Sequence, residues 1–112
     1  MALTQVDQGL LGQYAQYTGF KNRIINGAMV IDQRNAGASV SIANGTQPYT
    51  LDRFVAYNNS TNTFTVQQSS TAPAGFSNSI VITNGTATSA AAGMYQLLGQ
   101  RIEAYNFNDF VW

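Results

Sequence analysis

Apolar and polar positions alternate in several short stretches of this chain, a pattern typical of half-buried β-strands. Strands are predicted at residues 39–42, 49–57, 63–68 and 79–83, each bounded by Asn, Gly, Pro or Ser. In residues 49–57, Phe54 and Ala56 share one face while Arg53, Val55 and Tyr57 share the other. In residues 63–68, Phe64 and Val66 are expected to point inward. Because only a short polar segment separates residues 49–57 from residues 63–68, we expect these two strands to form a hairpin.

Residues 20–34 hold two apolar runs that an Asn26-Gly27 pair divides. We interpret them as one extended strand with a bulge or corner at this pair, because Asn and Gly accept positive φ at low steric cost. A two-residue hairpin turn is the alternative. The residues expected to face a core from this strand are Ile25, Met29 and Ile31. Residues 94–103 fit either helix or strand.

The first 19 residues differ from the rest. Apolar side chains recur there at spacings of three and four, typical of a helix, but three glycines interrupt the run. We therefore predict a short helical or irregular N-terminal arm over residues 1–19. This arm either docks on another subunit or folds back on its own domain. Its anchoring residues would be Leu3, Val6, Leu10, Leu11, Tyr14 and Tyr17.

The last residues, Phe110, Val111 and Trp112, are apolar, although chain termini are usually polar. We therefore expect these 112 residues to be a piece of a longer polypeptide that completes the fold. The predicted fold is mostly β, an antiparallel jelly-roll or sandwich-like domain over residues 20–112 that continues further.

Charged residues make up only 9% of the chain, five basic and five acidic, so the formal net charge is zero. This gives no electrostatic footprint for nucleic acid or an anionic membrane, and we expect neither as a partner. The chain has no Cys and no His, which excludes disulfides, thiolate sites and His-dependent catalytic triads. We predict no enzyme, no catalytic residue, no metal site and no cofactor. We also expect a soluble chain made without a secretory signal.

Two stretches resemble a recurrent domain of tailed-bacteriophage tail-fibre and related virion proteins. They are Lys-Asn-Arg-Ile-Ile-Asn-Gly-Ala-Met-Val-Ile-Asp-Gln-Arg-Asn at residues 21–35 and Tyr-Thr-Leu-Asp-Arg-Phe at residues 49–54. An opening strand with Asn-Gly, followed by an Asp-Arg-aromatic segment, is also similar to jelly-roll carbohydrate-binding modules. Pieces at 64–68, 72–76 and 100–105 resemble the same phage family in order, and the resemblance favours a strand at 94–103.

The resemblance implies a non-enzymatic virion structural protein, the virion-proximal part of a tail fibre or a similar appendage involved in host attachment. It implies other virion proteins as partners, a homotrimer, and a location in the virion after synthesis in a bacterial host. Two alternatives stay open, a carbohydrate-binding module for host surface glycans and a head decoration protein.

A glycan site would use aromatic faces beside paired charges. The candidates are Tyr49, Asp52, Arg53 and Tyr57. Surface or inter-subunit ion pairs are the favoured explanation of such acid-base neighbours, since each contributes no more than about 1 kcal/mol.

Overall fold

The computed structural model describes residues 22–86, 89–104 and 106–107. The fold is mostly β, with five strands and almost no helix in these ranges. The strands are β1 (Val40–Ile42), β2 (Phe54–Asn59), β3 (Phe64–Ser69), β4 (Ser79–Asn84) and β5 (Tyr95–Gln100). The six predicted anchoring residues of the arm, and the C-terminal Phe110, Val111 and Trp112, lie outside the described residues.

The strands form two antiparallel sheets. One sheet has the order β1-β3-β4, and the other pairs β2 with β5. In the first sheet Val40 lies opposite Val66, which in turn lies opposite Ile82. In the second sheet Ala56 lies opposite Leu98. Directly opposed residues share a sheet face, so each register places a row of apolar side chains on one side.

The core lies between these two sheets, which gives a sandwich-like arrangement. It draws on alternate positions of β1, β2 and β3 and on the turn before β2. Phe64 and Val66 face inward as predicted, and Phe54 and Ala56 share one face as predicted, which is the core face. Fully burying one such large apolar side chain contributes roughly 1.5–3 kcal/mol. The core residues are Ile42, Leu51, Phe54, Ala56, Phe64 and Val66, with Met29, Val40, Ile80 and Leu98 packed against them. The strands predicted at 39–42, 63–68 and 79–83 are confirmed within a residue or two, and jelly-roll topology stays a prediction.

The predicted hairpin between the second and third strands is wrong. β2 pairs with β5, whereas β3 pairs with β1 and β4, so the chain crosses from one sheet to the other. The crossing is held by Asn58, which is fully buried. Its side-chain amide donates to the carbonyl oxygens of Ile42 at 2.9 Å and Asn62 at 2.6 Å. Its Oδ1 accepts from the backbone N–H and the hydroxyl of Ser60 at 3.0 and 2.9 Å.

The predicted opening strand is also wrong, because the described part of residues 20–34 contains no strand. Turns occupy residues 25–28 and 33–37 instead. The corner at Asn26-Gly27 is confirmed, with Asn26 at φ 58° and its carbonyl accepting from the Met29 N–H at 2.9 Å. Of the three residues expected to face the core, Met29 packs against it, whereas Ile25 and Ile31 are exposed.

The chain divides into two compact units. One contains Ile24–Arg101 and therefore all five strands, and the other contains Met1–Arg23 with Ile102–Trp112. Within the second unit, the Arg23 guanidinium donates to the carbonyl oxygen of Asn106. The Asn106 N–H donates to the carbonyl oxygen of Glu103 at 2.9 Å. The division predicted from sequence, an arm at 1–19 and a domain at 20–112, stays a prediction.

Candidate functional site

The residues that carry the family resemblance form a hydrogen-bonded network in which side chains bind the backbone. We call it the turn network, and it joins residues 24–37 to residues 50–52. The Asn26 amide donates to the carbonyl oxygens of Ile31 at 2.8 Å and Asp52 at 3.0 Å, and its Oδ1 accepts from the Ile31 N–H at 2.9 Å. The Asn35 amide donates to the carbonyl oxygen of Thr50. The two sequence stretches therefore contact each other directly.

Carboxylates complete this network. One oxygen of Asp52 accepts from the Gln33 N–H at 2.5 Å. Asp32 accepts from the Gly37 N–H at 2.7 Å and from the Asn35 N–H at 3.2 Å. Short polar side chains commonly bond nearby backbone N–H groups in this way and compete with strand formation. This competition explains why residues 25–37 form turns despite their apolar content.

Two glutamines attach the same segment to the sheets. Gln68 on β3 donates to the carbonyl oxygens of Met29 at 2.6 Å and Val30 at 3.2 Å. Gln100 on β5 accepts from the Ile25 N–H at 2.8 Å and donates to the Ile25 carbonyl oxygen at 2.6 Å. A side-chain amide pairs with a peptide here much as a neighbouring strand would.

Strained backbone conformations occur in the turn network and at Arg53 beside it. The non-glycine residues at positive φ in the described ranges are Asn26 at 58°, Met29 at 56°, Ala36 at 50° and Arg53 at 73°. At Met29, Ala36 and Arg53, which unlike Asn do not readily adopt positive φ, such conformations cost of order 1–3 kcal/mol each and persist only when surrounding contacts hold them. The side-chain hydrogen bonds described above supply those contacts.

Asp52, one of the predicted glycan-binding residues, belongs to this network, and the predicted residue Arg53 follows it directly in the chain. Both are half-buried. Arg53 occupies the turn that leads into β2, which the Phe54 N–H closes on the Leu51 carbonyl oxygen at 3.0 Å. Since the Asp52 carboxylate is bonded to the Gln33 backbone, its placement indicates a structural role.

Tyr49 and Tyr57, the other two predicted residues, lie together on the outer side of the β2–β5 ribbon. Tyr49 forms an isolated bridge with Val55, and Tyr57 lies opposite Leu97. The Tyr57 and Tyr95 rings contact at a centroid distance of 5.6 Å. The Arg34 guanidinium lies 5.3 Å from the centre of the Tyr49 ring, within cation-π range. We call this surface the aromatic face, and it consists of Tyr49, Val55, Tyr57, Tyr95, Leu97 and Gly99.

The aromatic face is open to solvent. Tyr49 is 43% exposed, Tyr95 45% and Leu97 54%, whereas Val55 between them is buried. At Gly99, directly opposite Val55, an added Cβ would meet no atom within 4 Å. The face therefore has a shallow vacancy over Gly99, bordered by apolar side chains.

A cleft of about 360 Å³ adjoins this face at Tyr95, a volume within the range of small-molecule sites. We call it the β4–β5 cleft. Its lining residues are Ser60, Thr61, Asn62, Asn84, Gly85, Thr86, Ala90, Met94, Tyr95 and Gln96. The Gln96 amide donates to the Ser60 hydroxyl at 3.4 Å. With amides, hydroxyls and a phenol ring but no carboxylate or cation among its described lining residues, the cleft can hydrogen-bond and stack against a neutral polar molecule.

The cleft residues do not stand out in the sequence. Tyr95 is one of twelve Tyr and Phe residues in the chain, and the sequence does not distinguish those in the core from those on the surface. Asn62, Asn84 and Gln96 lie in turns or at strand ends, where such residues are common. Only the packing of the β2–β3 connection beside the end of β4 and the start of β5 brings them together.

The described residues contain neither a cluster that could hold a metal ion nor a helix that could cross a membrane. Within these ranges, no three acidic side chains lie close enough together to hold a metal ion. No helix in the described part of the chain has the length and apolar character needed to cross a membrane.

Comparison with known proteins gives no relative. No protein-family model, no curated protein and no solved structure matches this chain.

Proposed function

We propose that this chain is a non-enzymatic structural protein of a tailed-phage virion, the virion-proximal part of a tail fibre or a similar appendage involved in host attachment. The observation that carries the proposal is a surface rich in exposed apolar side chains and poor in charge. Ile24, Ile25, Val30 and Ile31 are all exposed within one short segment, and charged residues are 9% of the chain. Clustered exposed apolar groups mark interaction surfaces, and few charges leave a surface weakly protected from association.

The turn network supports the same proposal. The resemblance to phage fibre proteins rests on residues 21–35 and 49–54, and the network binds these stretches to each other through Asn26, Asn35 and Asp52. Residues that hold a fold together are the ones a structural family would share. On this account the resemblance reflects common architecture, and its polar residues bind the backbone instead of a ligand.

The test is quantitative mass spectrometry of purified particles of the phage that encodes the chain. We expect its peptides at a fixed copy number per particle, retained through density-gradient purification. An antibody against the β domain, seen by electron microscopy, should label the tail appendage, whereas head labelling would favour the decoration protein. Peptides found in the infected-cell lysate and missing from particles would contradict the proposal.

A second function, binding of a neutral host glycan, is favoured by one observation, the β4–β5 cleft. Amides and hydroxyls suit sugar hydroxyl groups, and the exposed Tyr95 ring provides a flat apolar surface for a sugar ring. The cleft includes none of the four candidates chosen from sequence. The glycan hypothesis therefore moves from Asp52 and Arg53 to Tyr95, Asn84 and Gln96.

Its test is a glycan array probed with the full chain. Signal for a neutral glycan should fall in Tyr95→Ala and Asn84→Ala and persist in Phe76→Ala, a control at an exposed aromatic residue outside the cleft. Equal signal in all three variants, or none with the parent chain, would exclude the cleft as a glycan site and leave the structural proposal standing.

A further inference from the structure

The edge of β5 that faces away from β2 supports an inference beyond the proposed function. Among the described residues β5 pairs only with β2, so half of its backbone N–H and C=O groups face away from the ribbon. Native proteins usually protect such edges with charges, proline or a bulge. The strand Tyr95–Gln100 reads Tyr-Gln-Leu-Leu-Gly-Gln and has no charge and no proline, and its register with β2 runs without interruption over six pairs.

We propose that β5 pairs with β5 of a second copy of this chain, antiparallel and centred on Leu97. The two ribbons would then join into a continuous four-stranded sheet with the order β2-β5-β5-β2. An antiparallel pairing of this kind is isologous, because the same surface serves both partners. Overlap of residues 95–99 would form about four to six backbone hydrogen bonds, depending on which residues of β5 face the partner.

A second copy is the expected partner because β5 is complementary to itself. Centring on Leu97 places each Leu97 opposite the other, and each Tyr95 opposite Gly99 of the second copy. All three residues lie on the aromatic face, and Gly99 is where an added Cβ meets nothing within 4 Å. A cross-strand aromatic ring is a known way to cover a strand glycine. The exposed Tyr95 ring of one copy therefore occupies the open space over Gly99 in the other copy and covers Val55 of that other copy.

The other outer strand, β4, lacks this fit. It is also free of charge, but it contains no glycine and therefore no vacancy for a partner's ring. Its alternate positions Ser79, Val81 and Thr83 face away from the core, and Thr83 is exposed. β4 therefore supplies a matched control surface on the same molecule.

Four variants of the full chain test the pairing by sedimentation equilibrium and light scattering. The parent chain should have twice the 12.1 kDa mass of one chain. Leu97→Lys places two cations opposite each other and should weaken dimerisation about tenfold or more. Thr83→Lys puts the same charge on an exposed position of β4 and should leave it unchanged. Mixing Leu97→Lys with Leu97→Glu should restore a dimer, since opposite charges then meet.

Gly99→Thr separates association from folding. The added side chain has room in one chain and suits a strand better than glycine does, so unfolding stability should hold or rise. The same side chain occupies the space that the Tyr95 ring of the second copy would fill, so dimerisation should be lost. Hydrogen exchange should then speed up at the β5 amides and stay constant in β4.

Three results would overturn the pairing. They are a parent chain that stays monomeric up to millimolar concentration, a dimer that both Leu97→Lys and Gly99→Thr leave intact, and a trimer. A trimer would instead favour the symmetry expected from the phage resemblance. The measurement uses the isolated chain, so its outcome is independent of where the protein sits in a virion.

Discussion

Replacing Asn58 with aspartate tests the buried hydrogen bonds that hold the chain where it crosses from one sheet to the other. The substitution conserves size and shape but turns the amide that donates to Ile42 and Asn62 into an oxygen facing two carbonyl oxygens. The other side-chain oxygen can still accept from Ser60. The perturbation is therefore confined to two lost donors and one added charge at a site with no solvent exposure.

The expected cost is large for a domain of this size. Each lost hydrogen bond accounts for about 1 kcal/mol, and a buried carbonyl left without a donor costs about 1–3 kcal/mol. An uncompensated buried charge raises the loss to about 3–5 kcal/mol at neutral pH. Since small domains are stable by about 5–15 kcal/mol in total, Asn58→Asp should remove a large share of the free energy of unfolding.

Urea unfolding followed by circular dichroism measures this loss. The control is Asn44→Asp at an exposed turn position, where surface substitutions stay within about 0.5 kcal/mol. The penalty should also depend on pH, because the introduced carboxyl ionises more easily in the unfolded chain, near pH 3.9. The deficit should therefore be smallest near pH 4 and grow towards pH 7. A loss below about 1 kcal/mol at pH 7, or equal losses in both variants, would refute the reasoning.

Three further substitutions test the turn network and the start of the β4–β5 connection in the same assay. Asp52→Ala removes the acceptor for the Gln33 N–H and should lower the free energy of unfolding by about 1–2 kcal/mol. An unchanged stability would mean that this carboxylate is again a candidate for ligand binding. Ala36→Gly should gain about 1 kcal/mol because this residue has φ 50°, and a loss would mean that the strain is misassigned. Gly85→Ala should destabilise the fold by about 1–3 kcal/mol, because its Cβ would lie 2.8 Å from the Thr63 carbonyl oxygen. An unchanged stability would show that the backbone there can shift to accept the methyl group.

The strands could be predicted from sequence because period-two alternation reports directly on a half-buried face. Phe64 and Val66 of β3 were assigned to the inner side correctly, and Phe54 and Ala56 of β2 were correctly placed on a common face. Their pairing partners could not be predicted, since alternation says nothing about which strand lies alongside. The short link after β2 indicated a hairpin, and only the buried bonds of Asn58 show why the chain changes sheets.

The strand predicted for the opening segment, residues 20–34, was wrong for a related reason. Its apolar residues suggested a strand, but Asn26, Asp32 and Asn35 offer the backbone alternative partners at close range. Side-chain hydrogen bonds of this kind depend on the other end of each bond, such as Asp52 far along the chain. The β4–β5 cleft was equally inaccessible to sequence reasoning, because its residues come from two separate connections, β2–β3 and β4–β5, and from the adjoining ends of β4 and β5.

The most direct test of the central claim is a cryo-electron reconstruction of the particle that contains this chain. We expect the exposed apolar segment from Ile24 to Ile31 and the aromatic face around Leu97 to be buried against neighbouring subunits. Both surfaces facing solvent in the assembled particle, with contacts made elsewhere, would contradict the claim that this surface exists for assembly.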